Sequence, residues 1–147
     1  MDPSDPPLRD RYDLLERALV SLEEVLLLNR DEVVRDSIIK RFEYTYESAW
    51  KAIRHDLRRA TSPQEIDALP RKELYRRAAR AGVIRDPSPW FDFHDARNAT
   101  SHTYDHELAV NVVADIERFA PEARDLLGAL RTRELTVHDT NRADDHP

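Results

Sequence analysis

A chain of 147 residues, 40% apolar and 35% charged, suits one domain with its own core and is too apolar for a disordered polymer. Only 2 glycines argue against a strand-and-turn architecture, and the lack of cysteine excludes a disulfide scaffold, a cysteine-ligated zinc finger and a cysteine nucleophile. The net charge of −6 disfavours a polyanionic partner on average, yet residues 51–85 sum to +6 while 1–50 sum to −5 and 86–147 to −7.

The first segment, Met1 to Leu8, is acidic and proline-rich, with no basic n-region or apolar h-region, and no stretch approaches a membrane-spanning length. The expected location is therefore cytoplasmic, with no membrane partner. Leu8, Tyr12, Leu15, Leu19, Leu22 and Leu26 then recur at helical spacing, predicting an amphipathic helix that ends near Asn29. Asp31 is a suitable N-cap for a longer second helix through Ile38, Ile39, Phe42, Tyr46, Ala49, Trp50, Ile53 and Leu57, stopping before Thr61, Ser62 and Pro63. The short connection makes the two an antiparallel hairpin that supplies most of the core.

Pro63 to Pro70 reads as a loop or short turn. Arg71 to Ala81 reads as a helix whose apolar face is Leu74, Ala78 and Ala79, stopped by Gly82. Its other face is densely basic, either because long arginines solvate a helix or because the surface tracks RNA. Pro87 and Pro89 open a helix carrying Trp90 and Phe93 that does not run far past Asn98. Asp105 caps a last helix through Leu108, Val112, Val113, Ile116, Phe119, Leu126, Leu127 and Leu130, with Pro121 expected to kink it. The expectation is an all-α antiparallel bundle of about five helices, one domain over residues 1–131, followed by a polar, disordered tail over 132–147.

The densest run of reactive side chains is Arg97-Asn98-Ala99-Thr100-Ser101-His102-Thr103-Tyr104. On an unbroken helix Arg97 and His102 would stand about 140° apart and could not converge on one ligand. A helix end between them lets both reach the same cleft. A guanidinium that grips phosphate oxygens and an imidazole that moves protons suit phosphodiester cleavage, because RNA carries its own nucleophile in the 2′-hydroxyl. Arg97 and His102 are the candidate catalytic pair, with Asn98 in a supporting position, and no metal or other cofactor is required. Two other readings of the same residues stay open on spacing alone. Arg97 can complement a helix C-terminus while His102 and Tyr104 serve the connection and its packing. Asp92, His94, Asp95, His102 and His106 can be read as metal ligands, although they lack a zinc-ligand spacing.

Two blocks carry a resemblance: Arg41-Phe42-Glu43-Tyr44-Thr45-Tyr46-Glu47-Ser48-Ala49-Trp50-Lys51 and the Arg97–Tyr104 run, joined by Ala78 to Ile84, Asp86, Pro87 and Trp90. From about Leu8 to Leu130 the chain resembles the HEPN family of nucleotidyltransferase substrate-binding-like proteins, and in particular the HEPN toxins of HEPN/MNT toxin–antitoxin pairs. The family pattern of an Arg, four to six residues, a His and, two further on, a Tyr is met by Arg97, His102 and Tyr104. The resemblance implies a homodimer whose two motifs face one cleft, acting as a metal-independent endoribonuclease on an RNA such as tRNA or mRNA. It also implies a minimal nucleotidyltransferase as antitoxin, adding AMP to Tyr104. A non-catalytic subunit that presents substrate to a nucleotidyltransferase is the alternative that the family description suggests.

Overall fold

The computed structural model describes the backbone of residues 8–144 and the side chains of residues 11–136. The proline-rich start, the Leu8 side chain and the last three residues lie outside them. Six α-helices follow one another: α1 (Leu8–Leu26), α2 (Glu32–Ala60), α3 (Pro63–Asp67), α4 (Arg71–Arg80), α5 (Pro87–Ala99) and α6 (His106–Asp144). A single 3₁₀ turn, Thr100–His102, separates α5 from α6, and there is no strand among the described residues.

The helix starts follow local chemistry. Asp31 accepts a hydrogen bond from the Val34 amide at 2.7 Å, satisfying one of the otherwise unpartnered N–H groups of α2. Asp86 does the same for Ser88 at 3.0 Å, with Pro87 preset for a first helical turn. Asp105 accepts from the amides of Glu107 and Leu108, fixing where α6 begins. At the end of α4, Gly82 takes φ of +80°, a conformation that costs other residues steric strain. There the Val83 amide reaches back to the Ala78 carbonyl and the Gly82 amide to that of Ala79, closing the helix as a Schellman motif with Val83 and Ala78 both buried.

α1 lies along α2, and α6 packs across both. Tyr12, Leu15, Leu19 and Leu22 of α1 and Ile38, Phe42, Ala49 and Ile53 of α2 are all essentially inaccessible, as the two apolar stripes require. Phe119 of α6 is the hub of the second half of the core. Its ring meets Phe42 at 5.1 Å, Phe93 at 5.3 Å, Trp90 at 5.8 Å and Tyr46 at 6.2 Å, all edge-on. Edge-to-face pairs of this kind each add about 1 kcal/mol to the area they bury. They clamp α5 against α2 and α6, and thereby fix the end of α5 where Arg97 sits.

Two elements differ from the sequence expectation. Pro63 to Asp67 forms a one-turn helix, with Ile66 buried beneath it, where only a loop or turn was anticipated. The last helix runs on unbroken through Pro121 and past Leu130 to Asp144. The apolar periodicity does end at Leu130, but an ion pair takes over: Arg133 donates through Nε to both carboxylate oxygens of Asp56 at 3.0 and 3.1 Å and through Nη1 to the Ala81 carbonyl at 3.0 Å. No helix among the described residues is long and apolar enough to cross a membrane.

Candidate functional site

α5 has two faces with different tasks. Trp90, Phe93 and Ala96 go into the core, while His94 and Arg97, one helical turn apart, face α2. The helix ends at Ala99 because the chain tightens into the 3₁₀ turn, and Thr100 makes that turn part of the site. Its hydroxyl donates to the Arg97 carbonyl at 2.7 Å and accepts from Arg97 Nη1 at 3.0 Å. The Arg97 side chain is one-third exposed, and Glu47 Oε1 stands 3.6 Å from its Nε. That Nε is shielded from solvent and makes no hydrogen bond, so Glu47 supplies charge compensation at a distance. Glu47 is held in its turn by the Trp50 indole, whose N–H donates to Oε2 at 3.0 Å.

The guanidinium lines a groove of about 360 Å³ with Glu43, Tyr44, Glu47, Ser48 and Lys51 of α2. A cation of this geometry, anchored at one end and open at the other, can accept an anionic ligand bidentately. His102 does not line that groove. It is exposed in the 3₁₀ turn, with its ring 6.3 Å from that of Tyr104 and nearly perpendicular to it. Tyr104 is 88% exposed and faces a second groove, of about 260 Å³, with Glu32, Arg35, Asp36, Thr103, His106 and Ala109. Asn98 is also exposed; its carbonyl accepts from Ser101, and its amide side chain stands on the solvent side of α5. The break between Arg97 and His102 is therefore present: Arg97 lines the groove, and His102 is exposed in the turn that follows α5.

Behind Arg97 lies a polar cluster that motif spacing did not single out. Tyr46 of α2, Tyr75 of α4 and His94 of α5 converge, with Tyr46 Oη 3.2 Å from His94 Nδ1 and receiving Arg71 Nη1 at 3.1 Å. Donor counting fixes Arg71 as a donor to Tyr46, and it allows Tyr75 to donate to Tyr46 while the Tyr46 proton goes to an unprotonated Nδ1. Burial, and then the Arg71 charge, hold the His94 pKa below its ordinary value. Burial likewise raises the pKa of both tyrosines. Arg71 also lies over the Trp50 ring at 3.6 Å, and Trp50 holds Glu47 of the Arg97 groove, which links the cluster to the groove. His94 is thus occupied by a tyrosine rather than by the acidic neighbours considered from sequence, and among the described residues no three His or carboxylate groups converge as a metal site needs. The sequence carries only the i, i+3 spacing that puts Glu47 with Trp50, and His94 with Arg97, on one helix face; which faces meet is set by the packing.

Known proteins resemble the chain over most of its length. Residues 10–132 match the family described as "Nucleotidyltransferase substrate binding protein like". A Haemophilus influenzae protein named "Probable ribonuclease HepT" is 36% identical, the match covering 82% of this chain and 92% of the relative. Among solved structures, a Haemophilus influenzae protein described as having the fold of a substrate-binding domain of a nucleotidyltransferase superposes with a TM-score of 0.75 at 33% identity, over 82% of this chain and 98% of that one. A protein from Thermus thermophilus superposes with a TM-score of 0.70, also at 33% identity, over 80% and 98% of the two chains. With the helical order, the Arg97 groove and these matches taken together, the chain belongs to the nucleotidyltransferase substrate-binding-protein-like family.

Proposed function

We propose that this protein is a metal-independent endoribonuclease, the toxin of a pair whose antitoxin is a nucleotidyltransferase. The observation that carries the reading is the Arg97 guanidinium, tethered between Thr100 and Glu47 at the rim of an open groove, with His102 one 3₁₀ turn along the chain. The relative named as a probable ribonuclease supports it. Arg97 would hold the non-bridging oxygens of the scissile phosphate and take up charge as it develops on phosphorus. An imidazole then removes the 2′-hydroxyl proton. The 2′-oxygen attacks phosphorus, the bond to the 5′-oxygen breaks, and a protonated imidazole returns a proton to that leaving oxygen, giving a 2′,3′-cyclic phosphate and a 5′-hydroxyl.

One Arg97 and one exposed His102 make a sparse site. In a two-fold dimer each groove gains a second copy of both groups, so acid and base can be separate imidazoles. Tyr104, exposed and next to His102, is then the place where an added AMP would obstruct RNA and repel its backbone.

The test is incubation of the purified chain with RNA in EDTA. Wild type should cut and leave cyclic-phosphate ends, while Arg97→Ala and His102→Ala should each lose at least about a hundredfold in rate with their helical content intact. Treatment with the nucleotidyltransferase, ATP and Mg²⁺ should silence wild type and leave Tyr104→Phe active and unlabelled. A second reading, a non-catalytic subunit presenting substrate to a nucleotidyltransferase, is favoured by the description of the solved Haemophilus influenzae relative. Under that reading the wild-type chain alone leaves RNA intact.

A further inference from the structure

The chemistry proposed at Arg97 does not use the basic face of α4. That face is organised: Lys72, Arg76 and Arg80 succeed one another at four-residue steps and are all exposed, a single row on one side of the helix. The row is continued by rings. Lys72 Nζ and the Arg76 guanidinium lie 5.7 and 5.3 Å from the centroid of Phe91 in α5. Around the corner, Arg71 and Arg54 lie 3.6 and 4.9 Å from the centroid of Trp50 in α2. Trp50 holds Glu47, which compensates Arg97, and Lys51, next to Trp50 in the chain, lines the Arg97 groove. Cations placed against aromatic rings therefore stand on α4 and α2, and Lys51 of α2 reaches the groove itself.

Local carboxylates neutralise only part of this surface. Glu73 pairs with Arg76 and Glu65 with Arg77, whereas Lys51, Arg54, Lys72 and Arg80 have no carboxylate partner among the described residues. In a chain of net charge −6, such a concentration of uncompensated positive charge beside a phosphate-binding groove marks where a polyanion lies.

We infer that RNA outside the scissile bond is held on this face, its backbone running from the Arg97 groove past Lys51 and Arg54 to the Lys72–Arg80 row of α4. The nature of the ligand rests on the ribonuclease reading above. Cations of this kind engage phosphates, so they give affinity and register and are indifferent to base sequence. The single strand is the expected form, because its flexible backbone can follow cations set on two different helices.

The experiment measures binding of fluorescent single-stranded RNAs of two unrelated sequences to the His102→Ala chain over a series of salt concentrations. Lys72→Ala with Arg80→Ala, two exposed positions that carry no packing of the Tyr46 cluster, should weaken both RNAs equally. The slope of log K against log salt should become shallower by about 1.4, at about 0.7 for each phosphate no longer neutralised. Arg85→Ala, removing an exposed arginine paired with Asp125, is the control and should leave the slope unchanged. Cleavage by the otherwise wild-type chain is measured in parallel. If that chain cuts RNA while the double variant keeps the full salt slope, the track is wrong and the ribonuclease reading stands. Should the double variant keep its RNA slope but lose the nucleotidyltransferase, the face belongs to that protein and the inference is overturned. A wild-type chain that neither binds nor cuts RNA overturns both.

Discussion

His94 shows how much of a residue's role depends on what surrounds it. In sequence it is one member of an acidic and histidine-rich stretch. In the fold its Nδ1 lies 3.2 Å from the Tyr46 hydroxyl, which also accepts from the Arg71 guanidinium. Protonating the ring would place a charge in a partly buried setting and add it beside Arg71. Burial first, and then the Arg71 charge, hold its pKa below the ordinary 6.5. The sign of the linkage follows: as pH falls past about 6.5 the unfolded chain takes a proton that the folded chain refuses, so stability is complete above that pH and declines below it. Asp115 works in the opposite sense, because burial raises its pKa and favours the folded state as protons are added. The expected outcome is that urea denaturation of wild type shows falling stability from about pH 7 to about pH 5, and that His94→Asn, which offers Tyr46 an acceptor that does not titrate, flattens that slope. Equal slopes for the two chains would show that His94 is protonated as readily folded as unfolded.

Helices α1, α2, α4 and α5 are legible from periodicity and caps, because an apolar stripe every three or four residues and an Asp or Pro at the first turn are local properties. The long tail of α6 is not, since Thr132 to Asp144 carries no apolar stripe to read. What holds its beginning is an interaction 77 residues away in sequence, the fork of Arg133 on Asp56. The Asp56 side chain is only 2% exposed, and Arg59 also stands 3.7 Å from it. Removing Arg133 leaves a buried carboxylate undercompensated, and Arg133→Ala should therefore cost about 3 kcal/mol by chemical denaturation. Asp56→Asn combined with Arg133→Ala should recover part of that loss, because the buried charge goes with its partner. A chain ending at Arg131 that proved as stable as the full chain would assign no role to this anchor.

On the scale of the whole molecule, the single chain leaves its reactive groups outward: Arg97 in one groove, His102 exposed, Tyr104 over another. Val33, Tyr44, Tyr104 and Val110 are also left exposed, apolar surface that a second copy can cover. Sedimentation equilibrium at micromolar concentration should give twice the chain mass, and mixing Arg97→Ala with His102→Ala chains should restore part of the cutting if grooves are shared. Only monomers, or no rescue, would confine the chemistry to one chain. By itself the sequence determined the all-α class, the hairpin of α1 and α2, the end of α5 between Arg97 and His102, and the family, because these depend on spacing and on residues adjacent in the chain. The tertiary structure alone decided that Glu47 and Trp50 back Arg97, that Tyr46, Tyr75, Arg71 and His94 form one cluster, and that Arg133 closes on Asp56. Each of those joins side chains from different helices, and which charges meet across a helix interface is set by the packing of α2, α4, α5 and α6 around Phe119, not by the order of residues within any one of them.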